Sequence, residues 1–411
     1  MTRTKTALAI HRYFWPDTPP YASFLRAIAA SWQAHGYQTE IFSTQPSYKP
    51  ELKLQRRPAS EFVDGVKVRR LNLSRGRSGP QRAFTMVSFT LAAFFVTLRK
   101  RRDLVMCSTT PPVILSAAVC MAARIRRSAF IYHCMDLHPE IGALSGEFKR
   151  RWIYNILMYI DTATCRRAST IVVLSADMRN SLVARDPTLA DRTVVLNNFD
   201  SPTYNEHASE PILPETRNEG RLRLVFTGNL GRFQGLEAVA EGVLQTQLPI
   251  DLIFMGEGNA RPRLQTISDR APYAADVRIE VRPHDTRDKV QALIDSADLG
   301  IVSLTPGVIR YAYPSKTATY LSAGLPILVS VEADSELART VADAQVGFSV
   351  PPENPEAIAD ALQMIWNHRI RLRSMAENAK DFALQHFGID HALERWSLLA
   401  DEVVEAQGVC A

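Results

Sequence analysis

Leu224-Val225-Phe226-Thr227-Gly228-Asn229-Leu230-Gly231-Arg232-Phe233-Gln234-Gly235-Leu236 passes from strand-forming residues through three glycines into an Ala/Glu/Val-rich helical segment. Glycines at 228, 231 and 235 predict a strand-to-helix turn whose backbone amides can approach a ligand, with the positive end of a helix just behind them. The spacing is neither Gly-x-Gly-x-x-Gly nor the Gly-Lys-Ser/Thr phosphate loop. Turns in parallel sheets also carry glycine for steric reasons alone, so a steric and a phosphate-binding role both fit. In either case this is the first turn of an α/β unit.

The same alternation extends in both directions. Downstream, strands are predicted at 222–226, 250–255, 277–281, 300–303, 327–331 and 347–350, with helices between them. Upstream, strands at 6–11, 38–43, 66–71, 104–107, 129–133 and 170–174 alternate with helices at 21–35, 113–123, 149–166 and 176–183. Short apolar strands separated by helices predict parallel sheets covered on both faces. Residues 201–220, SPTYNEHASEPILPETRNEG, have no sustained period and read as a linker. The 411 residues therefore predict an α/β chain of two Rossmann-like domains, 1–205 and 221–385, joined through 206–220. The tail 386–411 is helical. Asn354 before Pro355 starts the closing run of helices at 355–366, 370–386 and 390–405, which can cross back and lock onto the first domain.

Two further loops are expected on the same sheet edge as Gly228. Gly256 and Gly258 end the strand at 250–255. In Tyr311-Ala312-Tyr313-Pro314-Ser315-Lys316-Thr317-Ala318-Thr319, Ser315 is predicted to cap a short helix, Lys316 to stand in its first turn and Gly324 to end it. Lysine there opposes the helix dipole by roughly 0.3–1 kcal/mol. An anion nearby would explain it, and so would solvent or a surface carboxylate. Asp136 and His133 close the strand at 129–133 and are the catalytic candidates. Asp136 would orient or activate an acceptor hydroxyl, or else cap a turn with His138 and Glu140 as surface neighbours; His133 is also compatible with the core.

Composition narrows the class. The chain is 46% hydrophobic and 22% charged, and Cys107, Cys120, Cys134, Cys165 and Cys410 lack CxxC spacing. This argues against a zinc site or disulfide framework and suits a reducing, cytoplasmic compartment. Residues 1–9 read as a strand after a short basic lead rather than as a signal peptide. The net charge of +5 is uneven, because residues 49–102 alone carry +11. Positive charge by itself gives no reason to expect nucleic acid as a partner. Within that stretch the uncharged run 83–98, AFTMVSFTLAAFFVTL, lies between Arg82 and Arg99-Lys100-Arg101-Arg102. It is shorter than the ~20 residues a spanning helix needs. It fits a buried core helix, or a surface helix through which 82–102 meets an anionic membrane at the inner face of the inner membrane.

The ordered motifs FTGNLGRFQGLEAV, FMGEGNARPRL, DKVQALIDSADLGIVSL, YPSKTATYLSAGLPIL and VGFSVPPENPEAIADAL resemble the donor half of family 4 glycosyltransferases. Within that family they look most like bacterial aminosugar transferases of O-antigen, capsule and exopolysaccharide assembly. YFWPDTPPYASFLRAIAASWQAHGYQTEIFST, IYHCMDLHPE and VVLNNFD resemble the family's first half, so the likeness covers nearly the whole chain. It implies a GT-B fold, two parallel sheets facing across a cleft with the C-terminal helices crossing back. It also implies retaining, metal-independent transfer of a hexosyl or N-acetylaminosugar group from a nucleotide sugar, expected to be a UDP-sugar, to a saccharide or lipid-linked acceptor, without any cofactor. Gly228, Asn229, Leu230, Gly231, Arg232, Gln234, Gly235, Ser315 and Lys316 are expected at the donor phosphates. Gly256, Gly258, Arg282, Pro283, Pro314 and Thr319 are expected at the nucleotide or sugar, and Asp17, Thr18 and Tyr21 on the acceptor side. The chain departs from the family pattern at several points. Tyr311 and Thr319 stand where many relatives have glutamates. Asn229 and Gln234 replace an Arg and a Lys, and Pro19-Pro20-Tyr21-Ala22 replaces a glycine pair. A nucleotide-sugar epimerase of the same architecture and a non-catalytic nucleotide-sugar binding protein are the alternative readings.

Overall fold

The computed structural model describes residues 3–17, 20–47, 55–73, 78–148, 150–199, 220–271 and 276–409. Two compact units emerge, residues 1–204 with 389–411, and residues 205–388. Apart from Gly220, the predicted linker 206–220 lies outside the described residues.

The first unit runs β1 (Thr6–Ile10), α1 (Pro20–Ala34), β2 (Gln38–Thr44), β3 (Ser60–Val63), β4 (Val66–Leu71), α2 (Gly79–Arg99), β5 (Leu104–Ser108) and α3 (Ile114–Ile125). It continues with β6 (Ala129–His133), α4 (Glu140–Leu144), α5 (Arg151–Arg167), β7 (Thr170–Val173), α6 (Ala176–Arg185) and β8 (Thr193–Val195). The sheet order is β3-β4-β2-β1-β5-β6-β7-β8, parallel except for the β3–β4 hairpin. Asp64 and Gly65, both at positive φ, close that hairpin. An Asp-Gly pair is the signature of such a turn, so this strand was legible in the sequence although the periodicity missed it.

The second unit runs β9 (Leu222–Thr227), α7 (Leu236–Gln245), β10 (Ile250–Met255), α8 (Arg261–Ser268), β11 (Val277–Arg282), α9 (Arg287–Asp295) and β12 (Leu299–Ser303). Then follow α10 (Lys316–Ser322), β13 (Ile327–Ser330), α11 (Glu336–Asp343), β14 (Gly347–Val350), α12 (Pro355–Asn367) and α13 (Arg371–His386). Its sheet is wholly parallel in the order β11-β10-β9-β12-β13-β14. All six residues of β9 are buried, because helices cover both faces. Asn354 caps α12, its side chain accepting from the Ala357 amide at 2.9 Å.

The final helix, α14 (Ile389–Val409), is part of the first unit. Trp396 packs edge-on to Trp32, whose indole donates to the Trp396 carbonyl at 3.1 Å. Asp401 accepts from Lys5 at 2.6 Å and Tyr37 at 2.7 Å. A charged cluster and an indole pair thus hold the tail on α1 and the strand ends.

Strand order and right-handed crossovers place α1 on one face of the first sheet and α2, α3 and α5 on the other. Burial along α2 bears on the buried-core reading of residues 83–98. The helix turns Thr85, Phe89, Thr90, Ala93 and Thr97 inward, while Phe84, Val87, Leu91 and Phe95 are 53–69% exposed. The buried-core reading is therefore corrected: this is a surface helix with three threonines and Phe89 inside and Phe84, Val87, Leu91 and Phe95 outside. Its inner face is committed to protein, since Phe89 stacks on Phe42 with centroids 5.6 Å apart.

Candidate functional site

In a doubly wound sheet, ligands gather where the strand order reverses, at the carboxyl ends of the strands. The second unit reverses between β9 and β12. The 228–235 turn leaves β9 there and enters α7 through Gly235, in the left-handed region at φ 54°. Gly228 lies at φ 116°. Its amide donates to Met255 O at 2.8 Å, and the Leu230 amide donates to Glu257 O at 2.9 Å. Gly256 and Gly258 make this possible. A Cβ on Gly256 would lie 1.7 Å from Gly228 O, and one on Gly258 would lie 2.2 Å from Leu230 O. These glycines, expected at the nucleotide, are required in any case by loop-to-loop packing.

That packing sorts the turn's donors. The amides of Gly228 and Leu230 are occupied, whereas among the described residues those of Asn229, Gly231 and Gly235 engage nothing. Around them stand buried polar atoms without a partner, namely Gln234 Oε1, Ser303 Oγ and Thr317 Oγ1. Buried polar groups are normally satisfied, so a cluster of exceptions at a strand edge marks a place for a polar ligand. A Cβ at Gly228 would be 3.6 Å from Lys316 Nζ, which stands 4.4 Å from the Phe226 ring centroid. Lys316 has no ion pair among the described residues, and withdrawal from water lowers its pKa to about 8. Near neutrality it is still mostly an ammonium, desolvated and without a counter-ion.

Tyr320 fixes α10 in place. Its hydroxyl accepts from the Thr227 amide at 2.9 Å, and its ring fills the space above Gly300, where a Cβ would come within 2.4 Å. Gly324, at φ 71°, ends the helix, with the Leu325 amide returning to Tyr320 O. Ser315 does not cap it. Its backbone is already helical, so the side chain cannot turn back to the first free amides, and no cap bond forms. Pro314 precedes it and accepts from the Thr317 amide at 3.1 Å, while Thr319 is exposed on α10. Arg232 is exposed. Arg282 ends β11 in an ion pair with Glu280 at 2.8 Å, and Pro283 follows it on the surface. Sequence reasoning missed Glu332, just past β13. One of its carboxylate oxygens takes the Gly307 amide and the other is buried without a partner.

The first unit reverses between β1 and β5, and its edge is furnished differently. His133 Nδ1 bonds the Tyr21 hydroxyl at 3.0 Å, while Nε2 is buried and unpartnered. His11, at the end of β1, bonds Ser108 Oγ through Nδ1 and packs 4.4 Å from the Tyr21 ring. Burial lowers both imidazoles to about 3, so both are neutral. In the sequence His11 is only the end of a predicted strand, and its position on the reversal edge is the signal that marks it. Tyr21, expected on the acceptor side, is buried between the two histidines. Asp17 is also buried and accepts from the Ser47 amide at 2.9 Å; Thr18 lies outside the described residues.

The two carboxylates of the Asp136–Glu140 segment have opposite environments. Glu140 and His138, expected at the surface, are buried and half-buried. Glu140 and Asp161 share Arg185 at 2.5 Å each, and Tyr132 donates to Asp161 at 2.8 Å. The aromatic and apolar walls of β6 and α5 leave a carboxylate there only if it is paired. Asp136 has no hydrogen bond or ion pair among the described residues, and burial pushes its pKa up to about 6. Paired titratable groups with diverging environments are the usual mark of an acid–base site.

Comparisons with known proteins bear on the family and the fold. A family model described as a glycosyl transferase 4-like domain matches residues 21–198, and one for glycosyl transferases group 1 matches 221–368. WcaI of Escherichia coli K12, which carries the name of a colanic acid biosynthesis glycosyl transferase, is 20% identical over 317 residues, covering 73% of this chain and 77% of that protein. WbjE of Pseudomonas aeruginosa, named as a glycosyltransferase, is 24% identical over 300 residues, covering 71% and 72%. Among solved structures, HepE of Anabaena in complex with UDP-glucose superposes with a TM-score of 0.66 at 13% identity, over 97% of this chain and 99% of that one. At that identity the likeness speaks for the fold alone.

Proposed function

The chain belongs to the family 4 glycosyltransferases of GT-B fold, and from that premise we propose that it transfers a sugar from a UDP-sugar to a saccharide or lipid-linked acceptor in building a bacterial surface polysaccharide. The pathway class rests on the name of WcaI, and the donor class on the UDP-glucose bound by HepE.

The observation that carries the reading is Lys316, an ammonium without a counter-ion set against unengaged amides at the β9–α7 turn. A diphosphate placed there would receive the Asn229, Gly231 and Gly235 amides, the positive end of α7 and the Lys316 charge. These preorganised donors stabilise the leaving nucleotide as the glycosidic bond to phosphate breaks. The proposal includes retention at the anomeric carbon and leaving-group stabilisation by these groups without a metal. It also includes a hexosyl or N-acetylaminosugar as the transferred group. In the first unit the proposal assigns to Asp136 the orientation or deprotonation of the acceptor hydroxyl. With a pKa near 6 it is ionised at neutral pH and basic enough to take a proton.

Melting curves with uridine and guanosine diphosphates test the donor reading. Ligand at about 100 times its Kd adds about 2.7 kcal/mol to the folded state. Uridine diphosphate is expected to raise the Tm while guanosine diphosphate leaves it in place. A chain that responds to neither would sink the proposal.

A further inference from the structure

We propose that α2, α3 and α5 together form a docking surface for an anionic lipid bilayer, their apolar stripes entering the acyl region while the arginines at their ends meet headgroup phosphates. The inference does not rest on the sugar chemistry, because lipid binding is read without donor or acceptor.

The three helices are neighbours in one layer, α2 beside α3 and α3 beside α5. Each turns outward large apolar residues spaced by three, four or seven, so that they fall on one stripe. Phe84, Leu91 and Phe95 lie on α2, Met121 and Ile125 on α3, and Trp152 on α5. Ten of the seventeen large hydrophobic residues exposed among the described residues are on these three helices, so this is one patch and not a scatter. α2 departs from the expected pattern. A surface helix ordinarily hides its phenylalanines and shows its threonines. Here Thr85, Thr90 and Thr97 are buried beside Phe89, while Phe84, Leu91 and Phe95 face out.

Charge identifies the occupant. α2 and α3 contain no Asp or Glu, and the one acid of α5, Asp161, is buried against Arg185. Exposed basic residues stand at the helix ends: Arg82, Arg99 and Lys100 on and beside α2, Arg124 and Arg126 on and beside α3, and Arg167 on α5. A surface that is apolar at its centre, basic at its rim and free of exposed acid complements anionic headgroups over acyl chains. A second copy of the chain fits poorly, since a two-fold contact would set arginine rim against arginine rim with no carboxylate between them.

α2 has the length and hydropathy of a spanning segment, but the fold keeps it flat. Phe89 stacks on Phe42, and the Arg126 guanidinium bonds the Leu98 and Arg99 carbonyls that end the helix. It can lie along an interface without leaving the sheet.

The test is co-sedimentation of the full chain with vesicles of phosphatidylcholine alone and with phosphatidylglycerol added. Wild type should sediment with the anionic vesicles and stay in solution with the neutral ones, and binding should fall at about 0.5 M salt. Leu91→Glu and Met121→Glu each replace an exposed side chain, so their Tm should match wild type while partitioning falls about tenfold. Arg99→Glu with Lys100→Glu should weaken binding by a similar factor and flatten its salt dependence. Absence of wild-type binding to anionic vesicles at low salt would overturn the proposal. So would full binding by Met121→Glu, which would leave α2 acting alone, or a concentration-dependent dimer abolished by Leu91→Glu, which would make a second copy the occupant.

Discussion

The ends of β1/β5 and of β9/β12 occupy the same place in the same strand order, yet they hold opposite kinds of chemistry. At the second unit's edge the backbone does the work. Three glycines open the turn, two more let the neighbouring loop press against it, and among the described residues an ammonium without an ion pair stands beside amides that bond nothing. At the first unit's edge side chains fill the space: two neutral histidines, a buried tyrosine and an unpaired carboxylate. A reversal point in a doubly wound sheet supplies only a crevice and aligned helix ends. The residues at the strand tips furnish it with amides and an ammonium in one unit and with imidazoles and a carboxylate in the other.

The contrast breaks most sharply at Asp136. Its folded pKa is raised from 3.8 to about 6, so the folded state binds the proton more tightly than the unfolded one between those values. Stability is therefore lost as pH rises through that window, and the penalty is complete above 6. Asp136→Asn should melt higher than wild type at pH 7, by about 2–3 kcal/mol of stability at most, while turnover falls about 100-fold or more. Equal turnover in wild type and variant would remove Asp136 from the mechanism.

In the other unit the largest effect should come from a glycine. Gly256→Ala forces a methyl onto Gly228 O and should destabilise the second unit by about 3 kcal/mol, with loss of uridine diphosphate binding in calorimetry. Gly36→Ala, with nothing within 4 Å of its Cβ position but a φ of 96°, is the control for backbone strain without a clash.

Lys316→Met should cost about 10- to 100-fold in uridine diphosphate affinity without changing the fold. In wild type that affinity should fall as pH rises past about 8, where the ammonium loses its proton, and the variant's should stay level. Unliganded stability runs the other way. The unfolded lysine keeps its proton up to about 10.5, so stability rises with pH between 8 and 10.5.

The smallest expected difference concerns two serines at helix starts. Ser175 caps α6 by accepting from the Met178 amide at 3.2 Å, whereas Ser315 caps nothing. Ser175→Ala should lose about 1 kcal/mol in chemical denaturation, and Ser315→Ala less than about 0.5.

Most of the strands were legible, because each is a short apolar run bounded by turn residues; of the two the periodicity missed, β8 has only three residues and β3 alternates exposed side chains with half-buried and buried ones on the sheet's edge. The glycine turn and Lys316 could be read as candidates for a phosphate site, since glycine and lysine carry their chemistry in their type. His11 could not, because a histidine at a strand end looks the same whether it is packed or poised. Glu140 and Asp136 could not be told apart either. Only Arg185, forty-five residues further on, separates a paired carboxylate from a free one.

By itself the sequence determined the class of the fold, the family, and which residue types were available for the chemistry. Local periodicity, turn residues and motif order are properties of neighbours along the chain. The tertiary structure decided the rest. It settled which glycines let backbones touch, which buried polar atoms among the described residues are left without partners, and that 83–98 exposes one apolar face. Those are properties of residues brought together from distant positions, and burial and pairing do not exist until the sheet order assembles them.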